Sequence, residues 1–208
     1  MIVYTMSEAE LKREVLLDMY NAFRWEDRNS NKFRRLVLKA TRFPVYFAYQ
    51  YTSPRKNKWI ISLEARSKKE TKDDCRISYV VTYESPHGTY AVLVSWVNNE
   101  PQLIMYPPHF FSRFRDRAGV NEISTVRLMV RFFRHNGSYV YDKQTKQIAE
   151  DQYCIEVYGS TLEGVCLGIF STEGNILFRT FVTYEMLKGE QVERFTENER
   201  IRKEIHGA

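Results

Sequence analysis

Hydrophobic spacing near the start of the chain has a helical period. Leu11, Val15, Leu16, Met19, Tyr20 and Phe23 recur three or four residues apart, which places them on one apolar stripe. Ser7 with Glu10 forms a capping-box pattern that opens this helix, and the polar run Asp27 to Ser30 closes it. A second, short helix is predicted from Asn31 to about Ala40, with Phe33, Leu36 and Val37 facing inward and Pro44 stopping it.

The period then shortens. Val45 to Tyr51 and Trp59 to Ala65 read as strands, separated by Ser53-Pro54. Arg66 to Asp74 is almost wholly charged and reads as a loop. Ile77 to Tyr83, a turn at Ser85-Pro86-His87-Gly88, and Tyr90 to Val97 form the clearest hairpin signal. Asn98 to Pro101 turns the chain again into Leu103 to Tyr106. Pro107-Pro108 launches a helix from His109 to about Ala118, ended by Gly119. Ser124 caps another through about Arg134, with Val126, Met129, Val130 and Phe133 inward. Strands return at Tyr153 to Tyr158, Val165 to Phe170 and Ile176 to Val182, and a last helix is expected from about Thr183. Hairpins outnumber βαβ crossovers. The pattern therefore predicts an α+β fold with a mainly antiparallel sheet, N-terminal helices, and two helices inserted after the central meander. A single domain over 1–208 is expected: a helical part at 1–43, a sheet-based core at 44–192 and a helical tail at 193–208.

Composition changes this picture little. The chain has 208 residues, enough for one sizeable core, and 43% are apolar and 27% charged, as in ordinary globular proteins. Aromatics make up 14%, which fits a sheet-rich core and leaves open that some stack on bases. The net charge of +5 and pI near 9.0 favour polyanionic partners. Three cysteines, Cys75, Cys154 and Cys166, lack CxxC spacing, which argues against a disulfide framework or a cysteine-rich zinc site. Free thiols, a short apolar run at Met1 to Met6 and no membrane-length window lead to the expectation of a cytoplasmic protein with no membrane partner.

The window from Pro108 to Arg117 carries the most chemistry. At ~100° per residue, Arg113 and Arg117 follow His109 within roughly 80° of the helix wheel, and Phe110, Phe111, Phe114 and Ala118 fill the adjoining arc. If the aromatic arc faces the sheet, His109, Arg113 and Arg117 stand at its margin. A neutral histidine can exchange protons near pH 7, and two arginines one turn apart can hold a phosphate whose charge grows in a transition state. The plainer alternative is that the arginines pair with carboxylates and the histidine only flanks the helix start. The histidines show no metal-binding spacing, and no P-loop, GxGxxG or GxSxG occurs, so no metal or cofactor is expected. The basic runs Arg55-Lys56 with Lys58, and Arg66 with Lys68, Lys69 and Lys72, are phosphate-contacting loops or simply solvated surface.

His109-x3-Arg113-x3-Arg117 after a strand, then a helix, further strands and a terminal strand bearing Thr180 with Thr183 just beyond, resembles the barnase, colicin and RelE type of ribonuclease toxin-like domain. The resemblance covers about half the chain, from Ser78 to Lys188. It departs from that pattern at Phe110-Phe111, where a small residue is usual, in the long segment Asn136 to Asp151, and in the first 70 residues. The resemblance implies metal-independent RNA cleavage by the substrate's own 2′-hydroxyl. His109 would be base or acid, Arg113 and Arg117 phosphate clamps, and Thr180 or Thr183 a hydrogen-bond donor. By charge alone, and apart from the resemblance, Arg66, Lys68, Lys69 and Arg115 are the expected nucleic-acid contacts. Two other readings compete: a non-catalytic nucleic-acid-binding module, and a protein-binding structural or inhibitory module of a phage or mobile element.

Overall fold

The computed structural model describes residues 1–71, 74–137, 140–149, 152–187, 195 and 200. Helix α1 (Glu8–Asn29) starts at the expected capping box, with the Ser7 hydroxyl accepting from the Glu10 amide and the Glu10 carboxylate from the Ser7 amide. α2 (Asn31–Lys39) follows after a single residue, Ser30. A meander comes next: β1 (Val45–Thr52), β2 (Lys58–Ala65), β3 (Arg76–Ser85), β4 (Gly88–Val97) and β5 (Glu100–Tyr106). Helices α3 (Pro108–Arg117) and α4 (Thr125–Asn136) lead to a second meander. It comprises β6 (Val140–Ala149), β7 (Gln152–Ser160), β8 (Val165–Phe170) and β9 (Ile176–Val182).

The nine strands among the described residues share one sheet in the order β1-β2-β3-β4-β5-β9-β8-β7-β6. Every pairing is antiparallel except β5 with β9, which touch in parallel only at Ile104↔Ile176 and Met105↔Leu177. The α+β architecture is as the pattern predicted.

β2 to β5 are apolar on both faces, which requires a layer on each side. Trp59, Ile61, Val81, Val92 and Leu103 meet α1 and α2, and Ile60, Val80, Leu93 and Ile104 meet α3 and α4. The α3–α4 side is strongly aromatic. The Tyr106 ring lies 5.0–6.1 Å from those of Phe110, Phe111, Phe132, Phe133 and Phe178, mostly edge-on. The α1 side instead buries a polar knot. Asp18 Oδ2 accepts from Ser53 Oγ, Asn57 Nδ2 and Trp59 Nε1 at 2.6–2.9 Å, and Glu14 accepts two bonds from the Arg55 guanidinium. Among the described residues no helix is long and apolar enough to cross a membrane.

Several expectations need correction. α1 is rolled about its axis: Asp18 and Ala22 are fully buried, whereas Tyr20 and Phe23 are exposed. The polar knot explains this, because a carboxylate with that many donors can lie inside. Leu36 and Val126 are exposed rather than inward, and on α4 Leu128 and Phe132 join the expected Met129 and Phe133 in the core. The segment Asn136 to Asp151 holds a whole strand, β6, whose central residues are exposed and polar. An edge strand with wet side chains has no hydrophobic alternation to betray it. In place of a last helix at Thr183 there is one 3₁₀ turn, Tyr184–Met186. The tail at 193–208 lies outside the described residues, except that Phe195 is buried and Arg200 exposed.

Candidate nucleic-acid interface

β5 and β9 diverge after two paired residues, and α3 takes the place beside β9 that a strand would occupy. Pro107 and Pro108 supply the extended-to-helical switch, with Pro108 in the first turn. The β3–β4 hairpin braces this start. Gly88 has φ +116°, and a Cβ there would lie 3.1 Å from Pro108 Cβ, so the position needs glycine on both counts.

On its far side β9 pairs with β8, and that pairing shifts register between Leu167 and Gly168, leaving Arg179 as the unmatched residue. The bulge places Phe178 and Phe181, three residues apart, in the same core. It also leaves Arg179 exposed and Thr180 half-buried beside α3. Gly168 makes room for it, since a Cβ there would meet the Leu177 carbonyl oxygen at 2.2 Å.

The carbonyls of Arg179 and Phe181, two residues apart, lack a strand partner on the α3 side. The arginines of α3 cover them. Arg113 Nη1 donates to the Arg179 carbonyl at 3.2 Å; Arg117 Nη1 donates to the Phe181 carbonyl at 2.5 Å and to Thr180 Oγ1 at 2.9 Å. A spacing of one helical turn thus matches a spacing of two strand residues. Each guanidinium engages the protein through one nitrogen here, and its five N–H donors leave others for a ligand. His109 stands at the head of the row and is exposed by area. Even so, desolvation against the strand, then Arg113, pushes its imidazole below the usual value, with the Arg179 carbonyl partly offsetting them and Arg179's charge adding to the depression. The charges acting on it are all positive.

The structure therefore brings together His109, Arg113, Arg117 and Thr180, and adds Arg179. Thr183 lies past the end of β9, where its carbonyl accepts the Met186 amide, and no hydrogen bond among the described residues joins it to the row. Arg115 points about 160° round the helix from Arg117 and pairs with Asp116 at 3.3 Å. Arg66, Lys68 and Lys69 sit at the opposite end of the sheet. Tyr106, where α3 begins, is level through the ladder with Ala91, Thr82 and Lys58, whereas their loop follows Ala65 at the other end of β2. Arg66 is tied to Glu64 and Glu70, and Lys68 and Lys69 are exposed. Lys72 lies outside the described residues. Arg179 was missed by sequence reading, although a glycine inside the strand Val165 to Phe170 is the sign of a bulge.

No family model, curated protein or solved structure matches this chain.

Proposed function

We propose that the protein binds the phosphodiester backbone of single-stranded RNA along the α3–β9 ridge. One observation carries this: His109, Arg113, Arg117 and Arg179 converge on a strand bulge, and the charges perturbing His109 are arginines with no carboxylate among them. Arginines fixed through one nitrogen are pre-organised, so less freedom is lost when the remaining donors meet a phosphate. Fluorescence anisotropy with a labelled RNA oligonucleotide tests it. Arg113→Gln with Arg179→Gln should weaken binding more than Lys68→Gln with Lys69→Gln. An equal or reversed ranking sinks the proposal. Affinity should also rise as pH falls below about 6.5, since His109 is neutral above that range and becomes a further cation once protonated.

Cleavage of that RNA is a second reading, favoured by the neutral imidazole beside Arg113. His109 would take the 2′-hydroxyl proton or return one to the leaving oxygen, and Arg113 would stabilise the phosphorane. Loss of an acid–base group costs ~10²–10⁴ in rate, so His109→Ala should abolish formation of 2′,3′-cyclic phosphate ends and leave most binding intact. Wild-type protein that binds RNA and yields no such ends excludes cleavage and leaves the binding reading standing.

A further inference from the structure

The largest block of unopposed charge lies elsewhere. From position 28 to 42 the chain carries Arg28, Lys32, Arg34, Arg35, Lys39 and Arg42 and no acidic residue, more positive charge than the whole protein's net +5. All six are exposed, and none forms an ion pair among the described residues. Phe33 and Val37 of α2 are fully buried against the sheet. On the helix wheel Arg35 lies directly opposite that buried face, with Lys39 and Lys32 within roughly 60° of it. These three form an outward stripe about 10 Å long, and Arg28 and Arg42 flank it in sequence.

We propose that α2 is a docking surface for the phosphate backbone of a nucleic-acid duplex, separate from the α3–β9 ridge and on the other face of the sheet. Charge complementarity selects the occupant. A duplex presents a negative charge every ~1.7 Å along its axis, so the three outward cations over this length, with Arg28, Arg34 and Arg42 beside them in sequence, meet several phosphates at once. An anionic membrane fits less well. A membrane-surface helix needs an apolar face turned outward, but the apolar face of α2 is spent on the core, and exposed Leu36 and Leu38 fall on opposite flanks of the cationic stripe. α2 offers no aromatic side chain for base stacking either, because Phe33 is buried. Contacts should therefore go to the backbone and be indifferent to sequence.

Binding of the full chain to a labelled mixed-sequence DNA duplex of about 20 base pairs, from about 50 to about 200 mM salt, tests this. Wild type should show a steep log–log salt slope of about −5, and Lys32→Gln/Arg35→Gln/Lys39→Gln should flatten it by about three units and weaken low-salt binding at least tenfold. The charge-preserving Lys32→Arg/Arg35→Lys/Lys39→Arg should bind like wild type, and an RNA duplex should behave like the DNA. Circular dichroism and melting should be unchanged in the glutamine variant, since the three side chains are exposed. No duplex binding by wild type, an unaltered slope in the glutamine variant, or charge-dependent binding to phosphatidylserine vesicles without duplex binding would each overturn the proposal.

Discussion

The two faces of the sheet both carry cationic helices, but they use their cations differently. On α3, Arg113 and Arg117 are built into the fold, closing the open edge of β9 where β5 departs. On α2, Lys32, Arg35 and Lys39 touch solvent and sit at i, i+3 and i+7, where like charges repel. Removing charge from α3 should therefore damage the fold as well as any binding, whereas removing it from α2 should leave the fold alone. Density of positive charge and structural commitment vary independently here, and only variants that separate stability from binding can tell the two faces apart.

The sharpest way to break the ridge is through its bulge. A methyl group added at Gly168 would fall 2.2 Å from the Leu177 carbonyl oxygen and 2.8 Å from Phe178 Cα, both backbone atoms. Gly168→Ala should cost about 3 kcal/mol in urea unfolding, and lower RNA affinity by displacing Arg179. An unchanged midpoint would mean that the bulge is not held by that close approach. Arg117→Ala comes next. It leaves the Phe181 carbonyl and the Thr180 hydroxyl without their charged donor, a loss of about 2 kcal/mol. If Arg117→Ala is no more destabilising than Arg35→Ala, the two faces do not differ in the way described.

The parts of this fold that were legible in the sequence are those where burial and local chemistry agree. The Ser7–Glu10 box, the turn before Gly88 and the aromatic arc of α3 all appear where periodicity and capping place them. What escaped was set by contacts distant in sequence. The roll of α1 depends on Asp18 meeting Ser53, Asn57 and Trp59, some 35 to 41 residues away. β6 depends on β7 supplying a ladder for a run, Asp142 to Gln147, with no hydrophobic period. At the candidate site, the spacing of His109, Arg113 and Arg117 was readable, but their engagement with β9 carbonyls was not. Nothing local in α3 says that a neighbouring strand will be left open on that side. The charge around α2 stands in the sequence, four cations on the helix and six from position 28 to 42 without an acid, although sequence reading did not single it out.

Acid should separate the two faces in another way. Burial pushes the Asp18 carboxyl up, but the bonds from Ser53, Asn21, Trp59 and Asn57 together outweigh it and hold it below the usual range. The Arg55 guanidinium, against some desolvation, brings Glu14 down to about 2. A depressed carboxylate stabilises the fold above its unfolded value and loses that contribution as pH falls through its folded one. Stability should therefore decline from about pH 5 down to about pH 2, with the α1 side loosening first. Asp18→Asn should cost about 1–2 kcal/mol at pH 7 and flatten part of the acid limb. An acid limb identical to that of wild type would place the titrating groups elsewhere.

The smallest expected effect is the most discriminating. Arg35 has like charges at i−3 and i+4, and each such pair opposes the helix by about 0.2–0.5 kcal/mol at low salt. Lys32 also lies in the first turn of α2, which contains no acidic residue, so it faces the positive end of the helix dipole. Replacing Lys32, Arg35 and Lys39 by glutamine removes these repulsions and takes away no ion pair among the described residues. Against this stands the Lys32 ammonium 5.0 Å from the Phe47 ring, an exposed cation–π contact worth about 0.5–1 kcal/mol. The two nearly cancel, so the triple variant should melt within about 1 kcal/mol of wild type. The bound should hold in high salt too: at about 1 M the Debye length is near 3 Å, the like-charge penalty is largely gone and only the cation–π loss remains. A loss well beyond that bound, persisting in high salt, would show that the stripe holds α2 in place, and the contrast between the two faces would fail.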